Sequence, residues 1–137
     1  MKKKAGLIIT HGLFGKELLN SVEMIMGEQE DVKALGLSLG DSVDELRAAA
    51  ENIILENQKA DMDTILLVDI LGGSPSNVAL YMLKKYNNIK LITGVNMLVL
   101  IEFLQSRESN ELDDLMNLMI TSGTDGIKKF ENNMEGK

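Results

Sequence analysis

Residues 63–77 read DTILLVDILGGSPSN. The segment Asp63–Ile70 is apolar through its interior, which is the pattern of a strand covered on both faces in a parallel sheet rather than of one half-open to water. Gly72 and Gly73 then break the run. Ser74 and Pro75 read as helix N-cap and first helical position, because a proline there gives up no N–H that the helix needs. The helix that follows would turn Ala79, Met82, Leu83 and Tyr86 inward. A buried strand, a glycine loop and a capped helix in fifteen residues are the repeating unit of a layered α/β protein.

The same alternation extends outward in both directions. Upstream, Ala5–Thr10 (AGLIIT) is a short, apolar, β-branched strand, and Leu18, Leu19, Val22, Ile25 and Met26 follow helical spacing between Gly15 and Met26. Val32–Leu39 (VKALGLSL) reads as a second strand, turned by Gly40 and Asp41. Ser42 with Glu45 forms a capping box ahead of a helix with Val43, Leu46, Ala50, Ile53 and Ile54 on its apolar face. Downstream, Ile89–Thr93 is a fourth strand, Met97, Leu100, Ile101 and Leu104 mark a helix, and a last helix starts near Asn110 with Leu112, Leu115, Met116, Met119 and Ile120 on one face. The tail Gly123–Phe130 fits either a helical turn or a short strand. Strand–helix alternation with right-handed crossovers predicts an α/β fold with a mostly parallel central sheet covered by helices, in a single domain over 1–137.

Composition excludes several function classes. A net charge of −7 disfavours nucleic acid, whose phosphates require clustered Lys and Arg. Lys2–Lys4 reads as a solubilising terminus. No apolar run approaches a membrane span and no signal peptide is recognisable, so a cytoplasmic protein is expected. With no cysteine and a single histidine, thiol chemistry is excluded, and neither a metal site nor any cofactor is expected.

That histidine, His11, directly follows the first strand, and Asp69 closes the third. In open parallel sheets the ligand crevice lies beyond the carboxyl ends of the strands. If strands one and three are neighbours, both side chains reach it. His11 could act there as nucleophile or base, with Asp69 accepting a hydrogen bond from one ring nitrogen and leaving the other free. The loop Gly72–Asn77 (GGSPSN) would add backbone N–H groups at a helix N-terminus, a natural anion cradle. Together these suit phosphoryl transfer through a phosphohistidine. Each piece also has a plain structural reading. A lone histidine can simply pack, an aspartate can cap a loop, and a GGSP stretch can be turn chemistry alone.

The stretches LIITHG (7–12), GEQEDV (27–32), LLVDILGGSPSN (66–77) and LITGVNMLVLIEFL (91–104), in this order along the chain, resemble the IIA component of the mannose/fructose/sorbose family of the bacterial sugar phosphotransferase system. The resemblance implies a sheet of order 2-1-3-4 and a C-terminal antiparallel strand, here Gly126–Phe130, exchanged within a homodimer. It implies that His11 is the phosphorylated residue, that Asp69 orients it, and that Gly73 and Ser74, beside Gly72 and Thr10, bind the phosphoryl group. Phospho-HPr would be the donor and a IIB component the acceptor, with the membrane met only through the IIC/IID permease. Aromatic residues found near the site in some members are replaced by Leu13 or Phe14 and by Leu71. The chain ends at Lys137 without a fused IIB domain, so a separate polypeptide is expected.

Three rival readings stand beside this one. A histidine phosphoacceptor serving a dihydroxyacetone kinase shares part of the pattern. A non-catalytic regulatory or ligand-binding module needs no chemistry from His11. A phosphoaspartate receiver fits poorly, because Thr10–His11 stands where a receiver needs acidic metal ligands.

Overall fold

A computed structural model describes residues 1–132. Four strands, β1 (Lys3–His11), β2 (Val32–Leu37), β3 (Met62–Val68) and β4 (Ile89–Thr93), form one sheet of order β2-β1-β3-β4, with every neighbouring pair parallel. Five helices complete it: α1 (Phe14–Met26), α2 (Val43–Lys59), α3 (Ser74–Lys85), α4 (Met97–Ser106) and α5 (Leu112–Asp125). Among the described residues no helix is long and apolar enough to cross a membrane.

The unbroken apolar run of β3 follows from its central place. Ile65 and Leu67 join Ile8, Ile92 and the inner faces of α1, α4 and α5 in one cluster. Leu66 and Val68 join Leu7, Ile9 and the inner faces of α2 and α3 in a second cluster on the other side. Successive side chains of a strand point to opposite faces, so where β3 lies between two helix layers, at Ile65–Val68, every position is apolar, while buried Asp63 and Thr64 near its start pair with Lys2 and Asn57. Each such Leu or Ile contributes about 1.5–3 kcal/mol by leaving water.

Several boundaries differ from the expectations. β1 begins at Lys3 and runs through His11, and β2 stops at Leu37, where Gly12 N–H donates to the Leu37 carbonyl at 2.8 Å. Gly36, paired with Thr10 in the register, admits no other residue, since a Cβ there would lie 2.0 Å from the Gly12 carbonyl oxygen. The Ser42 hydroxyl accepts the Glu45 N–H at 3.2 Å, as a capping residue should. Ile25 and Ile120 share the apolar spacing of their helices but are exposed. In α3 the inward residues are Val78, Ala79 and Met82, while Leu83 lies at the boundary with solvent. Helix α5 continues to Asp125. Gly126 and Ile127 close it through N–H bonds to the carbonyls of Ser122 and Thr124, and among the described residues Gly126–Phe130 forms no strand within its own chain.

Candidate functional site

The site lies where the pairing of β1 with β3 ends. The ladder runs to Ile9 opposite Val68. Beyond that point a side chain replaces the backbone. The His11 N–H donates to Asp69 Oδ2 at 2.8 Å, and His11 Nδ1 lies 2.8 Å from the same oxygen. The other carboxylate oxygen, Oδ1, accepts the Ile70 N–H at 2.9 Å. Partial burial pushes the Asp69 carboxyl upward, but the bonds from the His11 backbone, the His11 ring and the Ile70 N–H outweigh it, so the group titrates below its ordinary range. Asp69 is therefore an anion that only accepts hydrogen bonds, and the proton between it and the ring belongs to Nδ1. In neutral His11 the lone pair is then on Nε2. The imidazole is 51% exposed against 13% for the Asp69 side chain, leaving the ring open to reagents and its tether sheltered.

Strand alternation decides which way the ring faces. Leu7 and Ile9 point into the α2/α3 layer, and His11, two residues on, points to the same side. There it meets the loop that opens α3. A Cβ on Gly73 would stand 3.2 Å from both Cε1 and Nε2 of His11, and Gly73 has φ +96°, so space and backbone conformation both call for glycine. The free ring nitrogen thus faces the start of a helix. The first-turn N–H groups have no i−4 carbonyl, and since Pro75 has none to offer, these are the N–H groups of Ser74 and Ser76. The helix dipole adds to their preference for an anion.

His11, Asp69 and Gly73 are brought together, with Gly72 and Ser74 as the chain neighbours of Gly73. Ser74 is the first residue of α3 rather than its cap. Gly73 takes the cap position, and no side chain makes a capping bond to the N–H groups there. Thr10 stands apart. One residue before His11, it points into the opposite layer, is fully buried, and accepts the Gly15 N–H at 2.8 Å. Its hydroxyl fixes the start of α1 instead of facing the imidazole.

Sequence reasoning passed over Ser76. Its side chain is fully buried, and its Oγ accepts the Gly72 N–H at 2.8 Å and donates to the Gly73 carbonyl at 3.2 Å. The available signal was its place three residues after the cap, where a side chain can reach back to the residues before the helix. Around the crevice Leu13, Phe14, Leu39, Ile70 and Leu71 are all exposed.

Comparison with known proteins agrees with this architecture. Residues 6–120 match the EIIA-man family, described as PTS system fructose IIA component. The PTS system mannose-specific EIIAB component of Escherichia coli (strain K12) is 33% identical over 132 residues, which cover 91% of this chain and 39% of that protein. The chain thus spans less than half the length of that relative. The PTS system fructose-specific EIIA component of Bacillus subtilis (strain 168) is 32% identical over 81% of this chain and 75% of its own length. Among solved structures, that of phosphotransferase system component EIIA from Streptococcus agalactiae is similar with a TM-score of 0.84 at 32% identity, covering 92% of this chain and 96% of that one.

Proposed function

The chain belongs to the EIIA-man family of phosphotransferase-system IIA components, and on that footing we propose that it is a phosphocarrier using His11 as its phosphoryl acceptor. Phospho-HPr is the donor and a IIB component the acceptor. The observation that carries this reading is the division of labour on one ring: Nδ1 is tethered to Asp69 while Nε2 faces the glycine loop.

The transfer then runs as follows. The Nε2 lone pair attacks phosphorus, the P–N bond to the HPr histidine breaks, and the HPr ring nitrogen keeps that electron pair. Nδ1 retains its proton, so the phosphorylated ring is cationic, and the Asp69 carboxylate stabilises that charge. The phosphoryl oxygens meet the N–H groups opening α3 and the Ser74 hydroxyl. The reverse sequence delivers the group to IIB, which requires that the phosphohistidine not be held much more tightly than its neighbours in the relay.

Exposed Leu13, Phe14, Ile70 and Leu71 give protein partners an apolar rim to dock on. The tail after α5 carries Ile127 and Phe130 outward, which supports its pairing with a second subunit in a homodimer. In this reading the chain works in the cytoplasm as one domain. Intact mass after incubation with phosphoenolpyruvate, enzyme I and HPr tests the proposal. One acid-labile phosphoryl group on the wild type and none on His11→Ala is expected. No added mass on the wild type, with HPr itself phosphorylated, refutes it.

A further inference from the structure

We propose that Ser76 is a positioning residue for the phosphoryl-transfer step, holding the Gly72–Gly73 loop against the imidazole of His11; the inference rests on the phosphocarrier reading above. Gly72 and Gly73 both have positive φ, at +91° and +96°. Two successive glycines in such conformations are the least constrained stretch a chain can offer. Something must therefore hold them, because a loose loop would carry its donors away from the phosphoryl oxygens and lose the benefit of a preorganised site.

The Ser76 hydroxyl is the side chain that does so. A single buried oxygen spans both glycines, accepting from Gly72 N–H and donating to the Gly73 carbonyl. Both bonds tie the loop to the first turn of α3, which is itself anchored in the core through Val78, Ala79 and Met82. Two further consequences bear on the reaction. The Gly73 carbonyl, an acceptor that would repel a phosphoryl oxygen, already accepts the Asn77 N–H at 3.0 Å, and the Ser76 hydroxyl adds a second bond that keeps it turned toward the protein. Consuming the Gly72 N–H takes one donor of the loop out of play and leaves the helix start at Ser74 to meet the phosphoryl oxygens. The Ser76 hydroxyl is taken up by Gly72 and Gly73 and makes no bond to the ring, so the side chain acts only through the loop.

The test compares wild type, Ser76→Ala and Ser76→Thr by rapid-quench phosphoryl transfer from phospho-HPr, together with amide exchange at Gly72. Ser76→Ala removes one buried atom and should stay folded, which its melting curve establishes. The expected result for Ser76→Ala is a maximal transfer rate about tenfold lower, an unchanged phospho-HPr concentration at half-saturation, and faster exchange at Gly72. Ser76→Thr, which restores the hydroxyl, should recover both rate and protection. A folded Ser76→Ala protein transferring at the wild-type rate overturns the inference while leaving the phosphocarrier reading intact. So does slow transfer with Gly72 exchange unaltered. A wild type that accepts no phosphoryl group from phospho-HPr refutes the phosphocarrier reading itself, and this inference with it.

Discussion

A single atom, Oδ2 of Asp69, stands 2.8 Å from both the backbone nitrogen and the ring Nδ1 of His11. The end of β1 beyond the β1–β3 ladder and the orientation of the imidazole therefore depend on the same oxygen. Any change at Asp69 acts on the ring and on the strand end together.

Asp69→Asn is expected to fold and to accept phosphate about 100-fold more slowly, because an amide cannot offset the charge of a phosphorylated ring and can present an N–H where an acceptor is needed. Rapid-quench labelling measures the rate. A wild-type rate would remove Asp69 from the mechanism.

Gly73→Ala sets a methyl 3.2 Å from Cε1 and Nε2 of His11 at a backbone φ of +96°. With ψ at 172° this is a conformation essentially reserved for glycine, which costs a residue with a Cβ about 1–3 kcal/mol, and the ring must move. Lower thermal stability and reduced phosphoryl acceptance are expected together. A variant that melts and labels like wild type would show that the loop does not constrain the ring.

The Asp69 carboxyl should titrate below its ordinary value of 3.8. Because its folded pKa is the lower one, its contribution to stability is fully present above the unfolded value and is lost as pH falls through the folded value. Carboxyl carbon shifts followed through acid titration check this. A midpoint at or above 3.8 would contradict the hydrogen-bond account.

Arg107→Ala probes the opposite end of the sheet. The guanidinium donates to the carbonyls of Lys4, Glu30 and Asp31 and lies over the Phe103 ring. Lys4 is the second residue of β1 and His11 the last, about 23 Å apart at the rise of a strand. A stability loss of about 1–3 kcal/mol is expected, with phosphoryl acceptance by the folded fraction unchanged. Equal damage to both would reveal coupling along β1.

Gly36→Ala should be among the more damaging substitutions outside the crevice, since its Cβ would fall 2.0 Å from the Gly12 carbonyl oxygen. Overpacking of this kind costs about 1–3 kcal/mol, and here it would push apart the turn that follows His11. Chemical denaturation measures it. A near-neutral result would mean the Gly12 turn yields easily.

Much of this arrangement is legible in the amino-acid sequence alone. The apolar run of β3 announced burial on both faces, and Ile89–Thr93 matches β4 residue for residue. Which strands are neighbours was not legible from periodicity, because pairing joins residues far apart in sequence; the order 2-1-3-4 came from family resemblance. Details set by loop conformation escaped as well. Ser74 looks like a cap until Gly73, at positive φ, takes that place, and the bonds of Ser76 exist only because two glycines fold back over the first turn of α3. Thr10 adjoins the histidine in sequence yet belongs to the other layer, a consequence of strand alternation.

The donors that open α3 are main-chain groups, whereas the rim formed by Leu13, Phe14, Ile70 and Leu71 consists of exposed side chains. Substitution can rewrite the rim without altering the cradle. If the proposed phosphocarrier chemistry runs at Nε2, recognition of other proteins and that chemistry are separable traits, and a lineage could exchange one partner for another without touching the histidine.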